Sequence, residues 1–327
     1  MTVKLYIDAI RDAIQEEMRR DDSVFVLGED VGVRGGVFRV TQGLIEEFGE
    51  SRIMDTPLAE SAIAGVAIGA AAYGLKPIAE IQFADFIMPA VNQIISEASK
   101  MRYRSNNDWH CPLVIRAPYG GGVHGALYHS QSLEALFYHV PGLKIVMPAT
   151  AADAKGLLIS AIRDPDPVLF FEHKGLYRLV KDDVPDGEHT VPIGIAATRR
   201  QGTDITVITY GLMVHHAMEA AQELESEGVS TELLDLRTVA PLDREAIVSA
   251  ARKTGKVLIV HEDNKTGGVG AEVSAIIAEE ALFDLDAPIA RLCGPDIPAM
   301  PFSPPQERFY MLDPDKIAAA MRQLAAF

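Results

Sequence analysis

Cysteine is scarce: Cys111 and Cys293 are the only two in 327 residues. They are too few and too far apart for a disulfide framework, which fits a reducing compartment. Basic charge is also short, with 30 Lys+Arg against 46 Asp+Glu and a formal net charge of −16. Duplex binding needs clustered Lys and Arg, so nucleic acid is excluded as the main ligand, and so is an anionic membrane surface. The longest apolar run, 62–75, falls short of the roughly 18–20 residues that span a bilayer. The N-terminus, MTVKLYIDAIRDAIQEE, carries acidic residues in its first turns and lacks an uninterrupted apolar core, so it is no secretory signal. No repeat at solenoid periods and no low-complexity tract occurs. Walker A, HExxH, CxxC and GxSxG motifs are absent, which removes the common NTPase, zinc-protease, redox and esterase readings. What remains is 48% apolar and 23% charged, a chain long enough for about two domains with sizeable cores.

Strand and helix patterns alternate along most of that length. Ile7, Ile10, Ile14 and Met18 recur at helical spacing, and Val24-Phe25-Val26-Leu27 reads as a short buried strand ending at Gly28-Glu29-Asp30. Further buried strands are expected at 77–82, 113–117, 144–147 and 168–171, with helices near 61–73, 87–104, 131–138 and 151–162. Such alternation implies a parallel sheet flanked by helices. Periodicity is lost over 181–202, which reads as a linker. It restarts with strands at 205–210, 231–236, 257–261 and 289–292, and helices to 227, from 243, over 270–282 and from 313. Five prolines between Gly294 and Pro305 mark an extended loop. The expectation is two α/β domains, 1–180 and 203–327, each a mostly parallel sheet flanked by helices. Ligands of such sheets sit at the carboxyl ends of the strands.

Gly120-Gly121-Gly122-Val123-His124-Gly125 formally matches GxGxxG after a strand. A dinucleotide fold also needs a carboxylate at the end of the next strand, and that strand ends in Met147-Pro148-Ala149-Thr150. A loop beside a ligand is the better reading. Gly267-Gly268-Val269-Gly270 lacks the spacing and reads as a close-packed turn. Asp55-Thr56-Pro57-Leu58-Ala59-Glu60-Ser61 opens a helix of small residues, suited to close approach at a domain or subunit interface. Glu60 there has two readings. A first-turn carboxylate suits the helix dipole by about 0.3–1 kcal/mol, or it is a buried acid holding a proton on a ligand ring. Gln82 and Phe86 close a strand with an amide and an aromatic four residues apart. His129 stands between the glycine-rich loop and a helix start, which suits a ligand-facing turn.

GEDVG at 28–32, RGGVFRVTQGL at 34–44, DTPLAES at 55–61, AEIQFADFIMPA at 79–90, GGGVHGALYHSQS at 120–132, AKGLLISAIRDPDPVLFFEHKGLYR at 154–178 and LDLRTVAPLD at 234–243 together resemble one family. It is the beta subunit of the thiamine-diphosphate-dependent 2-oxoacid dehydrogenase component, most of all the branched-chain type, and the match covers nearly the whole chain. The resemblance implies a pyrimidine-binding domain of the thiamine-diphosphate fold, followed by a transketolase C-terminal domain. It implies a cofactor shared with an alpha subunit, whose GDG…N motif grips the diphosphate through Mg²⁺; this chain has no GDG. An α2β2 heterotetramer follows, docked on a dihydrolipoyl acyltransferase core through its peripheral-subunit-binding domain.

By the same resemblance, Glu60 hydrogen-bonds the aminopyrimidine ring nitrogen, Phe86 packs on that ring, and Leu58 and Gln82 lie beside it. His129 assists acyl transfer to the lipoyl group. A potassium ion is implied at Leu113, Val114, Ala161, Asp164 and Asp166 through mainly backbone oxygens; Asp164-Pro165-Asp166-Pro167 reads equally as a plain turn. The expected activity is oxidative decarboxylation of branched-chain 2-oxoacids, of the 3-methyl-2-oxobutanoate dehydrogenase type, with lipoyl acylation. Pyruvate or acetoin dehydrogenase is the alternative within the class, and an idle scaffolding subunit the non-enzymatic one. The start at Met1 without a transit peptide points to a prokaryotic cytoplasm, although a processed mitochondrial chain reads alike.

Overall fold

The computed structural model describes all 327 residues, Met1–Phe327. The chain divides into two compact units, Met1–Tyr119 with Leu136–Ile193, and Gly120–Ala135 with Gly194–Phe327. No helix is long and apolar enough to cross a membrane.

The strands of the first unit are β1 (Thr2–Leu5), β2 (Val24–Gly28), β3 (Ile53–Asp55), β4 (Lys76–Glu80), β5 (Val114–Tyr119), β6 (Lys144–Val146), β7 (Val168–His173) and β8 (Lys181–Val184). Six of them run parallel in the order β6-β7-β5-β4-β2-β3. Every residue of β2, β5 and β7 is buried, the continuous pattern of a parallel sheet covered on both faces. One cover is the helix Tyr6–Arg20, which buries Ile7, Ile10, Ile14 and Met18 and packs on the helix Ala151–Arg163. The latter starts where Thr150 Oγ accepts the Asp153 N–H at 3.1 Å, an N-cap.

The helix expected over 87–104 is instead a chain of short turns. A 3₁₀ segment Ala84–Ala90 contains Pro89, and a π turn Gln93–Glu97 leads through Ala98–Lys100 into Met101–Arg104. Pro89 removes one backbone donor and disturbs the i→i−4 ladder. Likewise only Glu134–Tyr138 of the segment 131–138 is helical. Residues 181–202 carry two short strands, β8, which pairs antiparallel with β1, and β9 (Ala197–Arg200). Both lie at edges and are charged, so no period of two shows in the sequence.

The second unit continues with β10 (Ile205–Thr209), β11 (Thr231–Asp235), β12 (Thr238–Ala240), β13 (Val257–Asn264) and β14 (Ala290–Gly294). Five strands form a sheet in the order β14-β13-β10-β11-β9, parallel except for β9. Helices Arg244–Thr254 and Pro314–Ala325 begin at Asp243 and Asp313, whose carboxylates accept the Ala246 and Lys316 N–H groups at 3.0 and 2.8 Å. The proline-rich stretch after β14 stays irregular until the helix Pro304–Tyr310, which carries Pro in its first turn.

Candidate active site

Three turns leave the carboxyl ends of the adjacent strands β4, β2 and β3. The turn after β2 carries Glu29 and Asp30, and Asp55 at the end of β3 ties it down by accepting the Gly32 N–H at 2.6 Å. The turn after β3 leads to the helix Glu60–Ala72, whose N-cap Ala59 has no side chain to satisfy the first N–H groups. Glu60 is half-buried in that first turn and makes no hydrogen bond or ion pair within the chain. Desolvation, with Asp30 and Glu60 nearby, raises the Glu29 carboxyl above its ordinary range. The turn after β4 supplies Gln82, which donates from Nε2 to the Glu29 carbonyl at 3.4 Å. Phe86 follows, half-buried, edge-on to Phe83 at 5.7 Å, with Phe38 at 5.4 Å from Phe83. Glu60, Gln82 and Phe86 are therefore brought to one end of the sheet. Leu58 lies in the same turn as Glu60 but faces outward, 70% exposed.

Beneath these turns lies a charged cluster. Arg116 of β5 is fully buried and donates to Glu172 of β7 at 2.6 and 2.7 Å and to Glu80 of β4 at 2.6 Å. The Tyr177 hydroxyl donates to Glu172 at 2.6 Å. Desolvation pushes the Glu80 carboxyl up, opposed by Arg116 and reinforced by Glu172. Removing one partner from such a group costs about 3–5 kcal/mol, because it strands a buried charge. The sequence reading missed this cluster; an Arg inside Leu113-Val114-Ile115-Arg116-Ala117 was the signal for it.

His129 belongs to the second unit and follows a 3₁₀ turn Ala126–Tyr128. A Cβ on Gly125 would stand 2.6 Å from the His129 Cβ, so glycine is what lets this turn close. No helix opens within 120–125, and the GxGxxG match is a loop. Buried carboxylates hold that loop. Glu262 accepts the Gly121 N–H at 2.6 Å and the Ser132 hydroxyl at 3.3 Å, and Asp263 accepts the Ala135 N–H at 3.4 Å. Glu307 accepts the Gly122 and His124 N–H groups, both at 3.2 Å, and pairs with the His124 ring. Tyr210 donates to buried Glu134 at 2.7 Å. None of these carboxylates was singled out from the sequence.

The proposed potassium positions cluster around the start of β5 and the end of the helix Ala151–Arg163. Both Asp164 oxygens hold the Lys144 ammonium at 2.6 Å, and Asp166 holds Arg102 at 2.6 Å. The Leu113 and Ala161 carbonyls accept the Val168 and Asp164 N–H groups. A cation there would meet backbone oxygens with one lone pair left, since both carboxylates are engaged and Val114 has no side-chain oxygen.

Two family models match, together spanning most of the chain: the transketolase pyrimidine binding domain over residues 4–180 and the transketolase C-terminal domain over 194–317. A solved split-gene transketolase, described as an inactive beta4 tetramer, superposes with a TM-score of 0.80 over 98% of each chain at 25% identity. Fold and site thus define a two-domain chain of the transketolase type. The 2-oxoisovalerate dehydrogenase subunit beta of Bacillus subtilis is 68% identical over 100% of both chains. The pyruvate dehydrogenase E1 component subunit beta of the same organism is 50% identical over 91% of each, and a mitochondrial 2-oxoisovalerate dehydrogenase subunit beta 2 of Arabidopsis thaliana 49% identical over 98% of this chain and 88% of its own. The chain belongs to the thiamine-diphosphate-dependent 2-oxoacid dehydrogenase family, among its beta subunits of the 2-oxoisovalerate type.

Proposed function

We propose that this chain is one half of a composite active site that decarboxylates branched-chain 2-oxoacids and passes the acyl group to a lipoyl carrier. The observation that carries this reading is Glu60, a half-buried carboxylate at a strand end with no partner in its own chain. An acid so placed, with an aromatic and an amide on the neighbouring turn, fits the aminopyrimidine end of thiamine diphosphate. The cofactor, when bound, supplies the nucleophilic carbon and the electron sink for loss of carbon dioxide. Glu60 holds a proton between its carboxyl oxygen and the pyrimidine ring nitrogen. Phe86 covers the ring face, Gln82 fixes the turn that faces it, and Leu58 presents an apolar side chain toward the incoming ligand. His129 moves a proton during acyl transfer.

The alpha subunit brings the magnesium-diphosphate grip, in an α2β2 assembly. The acyltransferase core carries the lipoyl group, its binding domain docking on the C-terminal unit, and the acidity of this chain favours encounter with a basic module. The setting is a bacterial cytoplasm. A potassium ion at Leu113, Val114, Ala161, Asp164 and Asp166 rests on backbone oxygens. It predicts a higher melting temperature in KCl than in NaCl at equal ionic strength; equal values remove the ion from this account.

The reading is tested by carbon dioxide release from 3-methyl-2-oxobutanoate and from pyruvate, with the chain assembled with its alpha subunit, Mg²⁺ and thiamine diphosphate. A higher kcat/KM for the branched acid supports it. A preference for pyruvate keeps the mechanism and overturns the substrate, a difference worth only about 1–3 kcal/mol in an apolar pocket.

A further inference from the structure

The segment Gly120–Ala135 is held near both ends by buried carboxylates from elsewhere in the chain, besides the bonds from the Met300 N–H to Gln131 and from the Tyr210 hydroxyl to Glu134. On one side Glu307 takes the Gly122 and His124 N–H groups on Oε1 and the His124 ring on Oε2. On the other, Glu262 and Asp263 take Ser132 and Ala135. Glu262 also reaches Gly121, so it touches both sides. Glu307 touches one side only, and it comes from the short helix Pro304–Tyr310, far away in sequence. Glu307 is 2% exposed, whereas the side chain of its ring partner His124 is 58% exposed. Losing the loop would leave a buried carboxylate with neither its backbone donors nor its ring partner, so the loop conformation is strongly specified.

Backbone conformation agrees. His124 and Ala126 both adopt left-handed φ values, +53° and +55°, unusual for residues with a Cβ. Such residues persist where the surroundings over-determine them. Here that determination falls on His124 itself, held through both its N–H and its ring. The bend at 124–126 sets the direction in which the 3₁₀ turn Ala126–Tyr128 emerges, and His129 ends that turn. No three of the neighbouring carboxylates and histidines are arranged to hold a metal ion. Glu262, Asp263 and Glu307 each accept backbone N–H groups of the loop instead.

We infer that Glu307 is a positioning residue for acyl transfer: by fixing Gly122 and His124 it sets where His129 stands. This rests on the role proposed above for His129. Glu307 does not touch the reacting atoms. It acts through the loop, so its loss slows the step that needs His129 and spares the step that needs Glu60.

The test uses the assembled complex with its alpha subunit and compares Glu307→Ala, Glu307→Gln, His124→Ala and His129→Ala. Three readouts are taken: decarboxylation with an artificial electron acceptor, reductive acylation of a lipoyl domain, and amide hydrogen exchange over 120–131. For Glu307→Ala, kcat for acylation is expected to fall on the order of 10- to 100-fold, the scale of a misplaced group. KM for the lipoyl domain and the decarboxylation rate stay within about threefold, and exchange over 120–131 quickens. Glu307→Gln keeps an oxygen for the two N–H groups and recovers most of the loss. His124→Ala removes an exposed ring and no buried charge, so it carries the same expectation at smaller size should Glu307→Ala fail to assemble. Wild-type acylation and exchange in these variants overturn the inference, as does a parallel fall of both reactions. If His129→Ala slows acylation but the Glu307 variants do not, the inference alone falls. If His129→Ala leaves acylation intact, the role of His129 falls first, and the catalytic half of the inference with it.

Discussion

A half-buried carboxylate at a strand end without a side-chain partner in its own chain is free to meet a bound group, and Glu60 is such a carboxylate. Ala59 before it supplies no side-chain cap to that first turn. In Glu60→Gln the shape survives and the transferable proton is lost. Decarboxylation in the assembled complex is expected to drop on the order of 10²-fold or more with assembly unchanged; full activity would remove Glu60 from the mechanism. The sequence alone left Glu60 between a dipole-pairing residue and an acid, because a first-turn Glu is ordinary in either role. It could not disclose Glu29 as a neighbour, since that proximity comes from strand order. Arg116 was legible in principle as a charge inside a buried strand. Its two carboxylates come from β4 and β7, and only the sheet brings them together.

At the scale of elements, the helix Glu60–Ala72 is apolar on both faces. Ile63, Ala64, Ala67, Ile68 and Ala71 are buried, while Ala62, Gly65, Val66 and Gly69 are exposed, and Tyr73 just beyond the helix is 90% exposed. A Cβ on Gly65 or Gly69 would meet nothing within 4 Å in this chain. Glycine at an exposed helix position costs about 0.5–1 kcal/mol relative to alanine, so folding of the single chain does not account for it. Close approach of another backbone would account for it. Gly69→Leu is expected to leave the isolated chain as stable or slightly more stable, yet to weaken assembly with the alpha subunit. Thermal melting and mass measurement read the two effects, and unchanged assembly would place the interface elsewhere. The run of small residues was legible from composition; that one face of it stays exposed was not.

The loop Gly120–Ala135 was legible only in part. Its glycines marked it as a loop, as it is found, but its anchors lie more than a hundred residues away in sequence. One anchor gives a pH dependence. Burial pushes the Asp263 carboxyl up to about 6, with Glu262 adding to the rise, while the Asn264 and Ala135 N–H groups oppose it. Burial also raises Glu134, with Asp263 and Glu262 reinforcing. A carboxyl raised on folding stabilises fully below its unfolded pKa, and that stabilisation is lost as pH rises through its folded value. Protection of 120–135 against hydrogen exchange, corrected for intrinsic rates, is therefore expected to weaken between about pH 4 and 6. Asp263→Asn should flatten that slope, and an unaltered slope would mean that Asp263 does not titrate there. The edge strands β1 and β8 and the broken segment 84–104 were not legible, because pairing and Pro89 override local pattern there.

For the whole molecule, alternation of strand and helix was enough to give two α/β units with mostly parallel sheets, since buried parallel strands announce themselves as apolar runs. Which units share the loop 120–135 was not readable, because chain order and packing diverge at that point. Function at this scale is a matter of incompleteness. In the reading proposed above, the first unit supplies an acid, an amide and an aromatic for a pyrimidine ring, and the chain has no GDG motif of the kind proposed to grip a magnesium diphosphate. The most direct measurement is therefore decarboxylation of 3-methyl-2-oxobutanoate with thiamine diphosphate and Mg²⁺, by this chain alone, by the alpha subunit alone and by the two together. The account predicts activity in the pair and none in either part. Turnover by this chain alone would contradict it, since the whole site would then lie within one polypeptide.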